Sequence, residues 1–466
     1  GDRILAANAE DLARARAKGM SEGLIDRLAL DADRLAAVAG AVREIAALPD
    51  PVGEIVDGQR LPNGLRVVGE RLPYLRSVSV GVWLQVGSMM EQAENNGLSH
   101  FLEHMVFKGT QRRDTLQIAR EMDAAGGQMN AFTGKDCTCY YAKVIDEDLP
   151  LAVDLLADLT LHATMPEDEF QKERGVILEE IAMEEDDPED LAHELLLAAQ
   201  FGSRGPGRPI LGLAEGISRY TREDLLNFRR QHYRPQAAVV SICGNYDPAQ
   251  VEALMLEYFG AWQADGKGEA YDVPPLRHGQ LLVKEKDTEQ LNLCLGYPGV
   301  AYGHSDRYAQ AVLNNLLGGA MSSRLFQRIR EELGMAYSIY TTPNLFPGCG
   351  TFTIYAGVSP RNGRQVLEEI QIQVKRLLDQ GISQQEFAES KALLKGSYLL
   401  SLESSNSRMS SMGRGLLMLG DVVDTEETVA WIQAVTPEDV MRLAQTLAAP
   451  PCLTATGKGA QEITLA

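Results

Sequence analysis

Between residues 78 and 86 the chain alternates: Val78, Val80, Val82, Leu84 and Val86 interleave with Ser79, Gly81, Trp83 and Gln85. A period of two puts the apolar set on one face of a β-strand, which runs into a turn at Gly87-Ser88. The segment that follows reads as a helix, with Asn95 and Asn96 placed to cap its start and Lys108-Gly109 forming a basic last turn and a stop. After the Gly126-Gly127 break, Met129 to Thr133 predicts a short strand, and Cys137 to Val144 its hairpin partner. A long acidic helix is expected from about Glu167 to Asp187. Residues 1 to about 58 are rich in Ala, Leu and charge. There Leu35, Val38, Val42 and Ile45 fall at helical spacing behind Asp31 and Asp33, which predicts amphipathic helices.

These elements group into an α+β organisation. A first mixed domain is expected over 60–262, ending in Tyr258-Phe259-Gly260-Ala261-Trp262. Residues 263–277, with Gly266, Gly268, Pro274 and Pro275, read as an exposed linker, and a second mixed domain covers 278–466. A faint repeat relates the two. Thr221-Arg222-Glu223-Asp224-Leu225 leads through a helix to Val239-Val240-Ser241-Ile242-Cys243-Gly244. Thr436-Pro437-Glu438-Asp439-Val440 leads in the same way to Cys452-Leu453-Thr454-Ala455-Thr456-Gly457. Each is a capped helix start, then a short buried strand and a glycine.

Composition narrows the function. A chain of 466 residues with 45% apolar content is long enough for two or three sizeable cores. A net charge of −21 argues against nucleic acid and anionic membrane as partners. No apolar run is long enough for a membrane span, and the N-terminus lacks a basic-then-apolar signal pattern. The six cysteines are scattered or lie in strand-like segments, as buried thiols of a reducing bacterial cytoplasm would.

The chemistry concentrates in His100-Phe101-Leu102-Glu103-His104. Imidazoles four residues apart share one face of a helix, and Glu103 sits beside them. This is two thirds of a catalytic zinc site, with a carboxylate next to the open coordination position, in the inverted order H-x-x-E-H. The bland alternative is a pair of surface histidines on an acidic helix. A third ligand must come from elsewhere. On the acidic helix Glu173, Glu180 and Glu184 share a face, while Glu179, Glu185, Asp186 and Asp187 read as a solvated one. Helical spacing leaves several of these carboxylates in contention. Arg330 and Tyr337, seven residues apart, are by themselves an ordinary surface pair.

Three blocks resemble the pitrilysin and mitochondrial-processing-peptidase family of inverted zincins, in its short bacterial form. They are Gly97 to Thr110 around the histidines, Gly126-Gly127-Gln128-Met129-Asn130-Ala131-Phe132-Thr133, and Glu173-Arg174-Gly175-Val176-Ile177-Leu178-Glu179-Glu180. A fourth, Arg330-Glu331-Glu332-Leu333-Gly334-Met335-Ala336-Tyr337, resembles the family's C-terminal-domain block. The resemblance covers residues 60–466. It implies two copies of one α+β fold joined by a linker, the second serving as a closing wall because it carries no H-x-x-E-H. It implies zinc (Zn2+) on His100, His104 and Glu180, with Glu173 as the outer acid that orients a ligand. It makes Glu103 the general base and lets Arg330 and Tyr337 reach across to the substrate. It makes Asn130-Ala131-Phe132 a sheet edge onto which substrate adds as another strand, with Asn130 near the scissile bond. It also implies a homo- or heterodimer of similar chains enclosing a chamber. One departure stands out. The family's Gly-Ser-Arg is here Gly87-Ser88 followed by Met89-Met90-Glu91, which removes an arginine expected to support the turn.

The first 58 residues stand apart. Ile4 to Leu12 and Ala46 to Glu54 resemble the N-terminal region of gamma-glutamyl phosphate reductase, which continues into a stretch like Leu61-Pro62-Asn63-Gly64-Leu65. That implies a fusion or chimera joined there, with none of the reductase's catalytic region and no activity of its own. The expected function is therefore a zinc-dependent endopeptidase acting on extended or unfolded peptide. The alternatives are a non-catalytic peptide-binding subunit of the same family, or an oxidoreductase named for the N-terminal fragment. The lack of a Gly-rich nucleotide fingerprint with its following acid counts against the latter.

Overall fold

A computed structural model describes residues 55–263, 270–422 and 424–464. Two mixed sheets organise it. The first has the order β1-β2-β6-β3-β5-β4, from strands Ile55–Arg60, Arg66–Arg71, Ser77–Leu84, Gln128–Thr133, Thr138–Ile145 and Ala238–Gly244, numbered β1 to β6 along the chain. The second has the order β7-β11-β8-β10-β9, from Leu281–Lys284, Leu291–Pro298, Ala336–Phe346, Cys349–Val358 and Cys452–Gly457. With β1 set aside the two orders superpose, and so do the strand senses. The β2–β6 and β7–β11 pairs are parallel, and the neighbours that follow them are antiparallel.

The repeat seen in the sequence has a structural basis. Thr221 and Thr436 each form a reciprocal cap with the aspartate three residues on. The helices they start lead to β6 and β11, which hold the same place in their sheets. Residues 1–54, where the helical extension is expected, lie outside the described residues. Ile55 to Gly58, counted with that extension in the sequence, belong to strand β1, in which Ile55 and Val56 pair with Glu70 and Gly69 of β2. A helix reading fails there because the backbone of the segment is satisfied across the sheet instead. Ala270 to Arg277 forms neither helix nor strand. It is nevertheless tied down, since Asp272 pairs with Arg204 at 2.6 Å and with Arg208 at 3.0 Å.

Strand β3 departs from its pattern. The alternation places the apolar set on one face, yet seven of its eight residues are buried, so the other face is covered as well. The reason is a helix far away in the sequence. Helix Ser405–Leu419, which follows the second sheet's first four strands, packs on the outer face of the first sheet. Its Met409, Met412, Leu416 and Leu417 form a cluster with Trp83, Cys139, Val239 and Cys243. Ser79 and Ser405 share a hydrogen bond of 3.0 Å across that contact. The favour is returned by helix Pro188–Phe201, whose Ala192, Leu196 and Ala199 pack on Cys294, Tyr355 and Cys452 of the second sheet. Each sheet is thus covered by a helix from the other half of the chain. Burying apolar side chains on both faces stabilises each half only while the other is folded.

Five of the six cysteines are buried, Cys349 is half-buried, and all are free thiols. No helix among the described residues is long and apolar enough to cross a membrane.

The helix exchange depends on close approach at Gly413. A Cβ there would lie 2.1 Å from the Trp83 indole nitrogen, which is itself held by Ser241 at 2.8 Å. Gly413→Ala should therefore push the covering helix off the sheet and cost about 1–3 kcal/mol. Urea unfolding checks this, and a variant as stable as the parent would contradict it.

Candidate metal centre

Helix α1, Leu98–Val106, carries the H-x-x-E-H pentapeptide. Leu98, Phe101, Leu102, Met105 and Val106 are buried on its inner sides, which leaves His100, Glu103 and His104 together on the remaining face. Its start differs from expectation. The N-cap is Gly97 at φ 96°, and neither Asn95 nor Asn96 caps it through a side chain. The Asn95 side chain instead accepts from Gln92 N–H at 2.6 Å. The first-turn amides donate to Glu91, a residue with 0% exposure, whose carboxylate takes Gly97 N–H at 2.8 Å and Ser99 N–H at 2.7 Å. The Asn96 amide donates to the same carboxylate at 2.8 Å. The turn therefore stands without the arginine that the family pattern carries. Burial pushes the Glu91 carboxyl above its usual range, against the pull of those donors.

Helix α2, Glu167–Asp186, packs against α1 and supplies the remaining acids. The two meet at Phe101 and Phe170, whose buried rings stack 4.7 Å apart with 4° between their planes. Among the three carboxylates left open by spacing, Glu180 is the one that reaches both histidines. Its Oε2 lies 3.9 Å from His100 Nε2 and 3.5 Å from His104 Nε2. One ligand atom from each of the three lies within 4.8 Å of the others, and among the described residues no second His, Cys, Asp and Glu group of this kind exists. Glu184 sits elsewhere, where burial and Glu194 push its carboxyl up to about 7. Glu179, Glu185, Asp186 and Asp187 are exposed, as the helical spacing suggests.

The donor set fits a small cation. Tetrahedral zinc with bonds of about 2.0–2.1 Å places its ligand atoms roughly 3.4 Å apart, close to the observed spacing. Glu180 Oε2 is buried with no hydrogen-bond partner, although it points at two ring nitrogens. A buried carboxylate oxygen without a donor is costly unless a positive charge meets it. The imidazoles are prepared for the same role. Burial, then the neighbouring His104, pushes His100 down to about 3, so its ring is neutral. His104 Nδ1 lies 3.1 Å from Glu173 Oε2, and Glu173 Oε1 lies 2.7 Å from Lys108 Nζ. With its Nδ1 proton committed to Glu173, His104 presents a lone pair at Nε2. Sequence reasoning placed Glu173 but missed Lys108 as its anchor. Lys108 lies just past the end of α1, in the turn that follows it, and its amine reaches back to Glu173.

Glu103 faces the same space. Burial raises its carboxyl above the ordinary value, and the Thr133 hydroxyl donates to its Oε2 at 2.5 Å. Strand β4, Gln128–Thr133, forms one edge of the first sheet, next to β5. Met129 and Ala131 pack toward the core that α1 belongs to. Asn130 and Phe132 alternate to the other side, where Phe132 meets the Trp83 ring at 5.8 Å. The Asn130 side chain accepts from Ala131 N–H. Arg330 and Tyr337 are both exposed, Tyr337 by 61%. Arg330 lies over its own turn's Phe326 ring at 4.9 Å. Among the described residues no hydrogen bond, ion pair or ring contact links either of them to His100, Glu103, His104 or Glu180.

The Glu91 anchor makes a prediction of its own. Glu91→Ala leaves two buried amides without an acceptor, so the variant should lose on the order of 2 kcal/mol or more. Thermal unfolding of the metal-free protein measures this separately from any effect on the cation.

Comparisons with known proteins identify the family. Residues 66–213 match the family model described as Insulinase (Peptidase family M16), and residues 219–394 match Peptidase M16 inactive domain. An uncharacterized zinc protease of Bacillus subtilis, YmxG, is 43% identical over 385 residues, covering 83% of this chain and 94% of its own. An uncharacterized zinc protease of Mycobacterium tuberculosis, Rv2782c, is 42% identical over 393 residues, covering 83% of this chain and 89% of its own. Among solved structures, a protease from Helicobacter pylori superposes with a TM-score of 0.80 at 23% identity, covering 87% of this chain and all of that one. At that identity the likeness speaks for the fold, the two-sheet arrangement described above. With both halves matched in order and relatives above 40% identity along most of their length, the chain belongs to peptidase family M16, the pitrilysin family of inverted zincins, in its short bacterial form.

Proposed function

We propose that this protein is a zinc-dependent endopeptidase that cleaves extended or unfolded peptides. The observation that carries the reading is the convergence of His100 Nε2, His104 Nε2 and the unpartnered Glu180 Oε2, with Glu103 on the same helix face. His100, His104 and Glu180 would hold the ion. A zinc ion in that place supplies Lewis acidity, lowering the pKa of water and polarising a carbonyl. Three protein ligands leave room for solvent, as catalytic zinc sites do.

The remaining steps belong to the chain's own groups. Glu103 takes the proton of the attacking water and delivers it to the leaving amine. Burial raises that carboxyl above its ordinary value, which makes it a better proton acceptor than an exposed glutamate. Glu173, backed by Lys108, keeps His104 in the ligating tautomer. Substrate is assigned to the free edge of β4, where an added strand is read through its backbone. That mode accepts unfolded segments of varied sequence.

The exposure of Arg330 and Tyr337 bears on the partner. Among the described residues neither contacts the site, so in this reading they meet substrate rather than the ligands. We assign a homo- or heterodimer of similar chains, with these residues facing an enclosed chamber. The free thiols fit a reducing bacterial cytoplasm.

Two measurements test the reading. Glu103→Gln should bind zinc at the parent's stoichiometry yet lose turnover of a quenched, unstructured peptide by 10²-fold or more, in the range of ~10²–10⁴ for a general base. Equal cleavage by both proteins would remove Glu103 from the mechanism. Removing the ion with a chelator should abolish cleavage, and zinc should restore it in the parent. Glu180→Gln should need much more zinc for the same recovery, and unchanged zinc affinity in that variant would dismiss Glu180 as a ligand.

A further inference from the structure

The Glu103 carboxylate is held by a hydroxyl that no motif reading singled out. Thr133 Oγ1 donates to Glu103 Oε2 at 2.5 Å, and its other neighbour is Thr138 Oγ1 at 3.4 Å. Thr138 in turn donates to the Val86 carbonyl at 2.9 Å. With its own proton given to that carbonyl, Thr138 can only accept from Thr133, and at 3.4 Å it is the poorer acceptor, so the Thr133 proton goes to the Glu103 carboxylate at 2.5 Å. The direction of the contact is thereby fixed: Thr133 donates to a carboxylate and has no reason to turn away.

Thr133 is also an unusually well-anchored donor. It is the last residue of β4 and pairs with Thr138 of β5. The tip beyond it is fastened on several sides. Gly134 N–H donates to the Cys137 carbonyl at 2.8 Å, and Met89 N–H donates to the Lys135 carbonyl at 2.8 Å. Lys135 Nζ reaches Glu194 at 2.9 Å and the Arg208 carbonyl at 2.6 Å. Asp136 pairs at 2.6 Å with Arg414, which comes from the helix that the second half lays across the first sheet. Both halves of the chain therefore fix where this hydroxyl stands.

We propose that Thr133 is a positioning residue for the general base: by holding Glu103 Oε2 it turns Oε1 toward the water whose proton is taken. The inference rests on the peptidase reading above and deepens it. It also joins two parts of the site. The strand that accepts substrate at its free edge is the strand whose last residue sets the base, so docking a peptide there stiffens the donor as well as the scissile bond.

Thr133→Val removes the hydroxyl while keeping the β-branched shape, and Thr133→Ser restores it. With zinc-loaded protein and a quenched, unstructured peptide, the valine variant should lose about ten- to hundredfold in kcat, the effect of one charge-assisted hydrogen bond. Its KM should stay within about twofold, since substrate binding itself is not removed. Zinc content and melting temperature should match the parent, and the serine variant should recover most of the rate. A crystal structure of the zinc-loaded valine variant should show the Glu103 carboxylate rotated from the parent's orientation. Unchanged kcat in Thr133→Val overturns the proposal. So does a loss confined to KM, which assigns Thr133 to strand docking, or a loss that follows zinc content and that serine does not rescue. A zinc-loaded parent that cleaves no peptide overturns the peptidase reading and this inference with it. That outcome is visible in the parent before any variant is compared.

Discussion

The site depends on the distance between two helices. His100 and His104 stand on α1 and Glu180 on α2, so a cation can be gripped only if those helices pack at one separation and one register. The stacked Phe101 and Phe170 rings set both. Phe101 follows the first histidine directly, and Phe170 lies one turn before Glu173, which braces the second. A flat aromatic pair in a fully buried contact tolerates little sliding, because any shift opens a void that close-packed interiors do not leave unfilled. The ion's coordination geometry is thus prepared by apolar packing. The charged groups need only fill the positions that the rings define.

Around that junction the polar groups form chains that run outward from the ion's place. One passes from His104 through Glu173 to Lys108. Another passes from Glu103 through Thr133 toward Thr138 and the Val86 carbonyl. A third fastens the start of α1 to Glu91. The second chain ends on a backbone carbonyl and the third on a fully buried carboxylate. The reactive side chains accordingly lose little freedom when a substrate arrives, and that economy is the basis of electrostatic preorganisation.

What could be read from the sequence follows the range of the interactions. The H-x-x-E-H face is set by residues within five positions, and helical geometry alone brings them together. The acidic helix and the β4–β5 hairpin were equally legible, because each has a local period and a local break. Spacing could not choose among Glu173, Glu180 and Glu184. That choice is made by how α2 lies on α1, and the family resemblance decided it in advance of the geometry. The cap of α1 was misplaced for the same reason: a buried carboxylate six residues upstream of Gly97 outcompetes the neighbouring asparagines. The second buried face of β3 could not be seen at all, since the helix that covers it lies more than three hundred residues away. Thr133 looked like an ordinary strand end until the turn beyond it was placed.

The crossing of covering helices has an evolutionary meaning. A tandem duplication normally yields two modules, either of which can later be deleted, shuffled or fused to something else. Here each module has surrendered one piece of its roof to its sibling, so excision at the join would strip both sheets at once. The second half carries no H-x-x-E-H, yet its architecture is tied to that of its twin. That mutual dependence makes the two copies one inseparable unit.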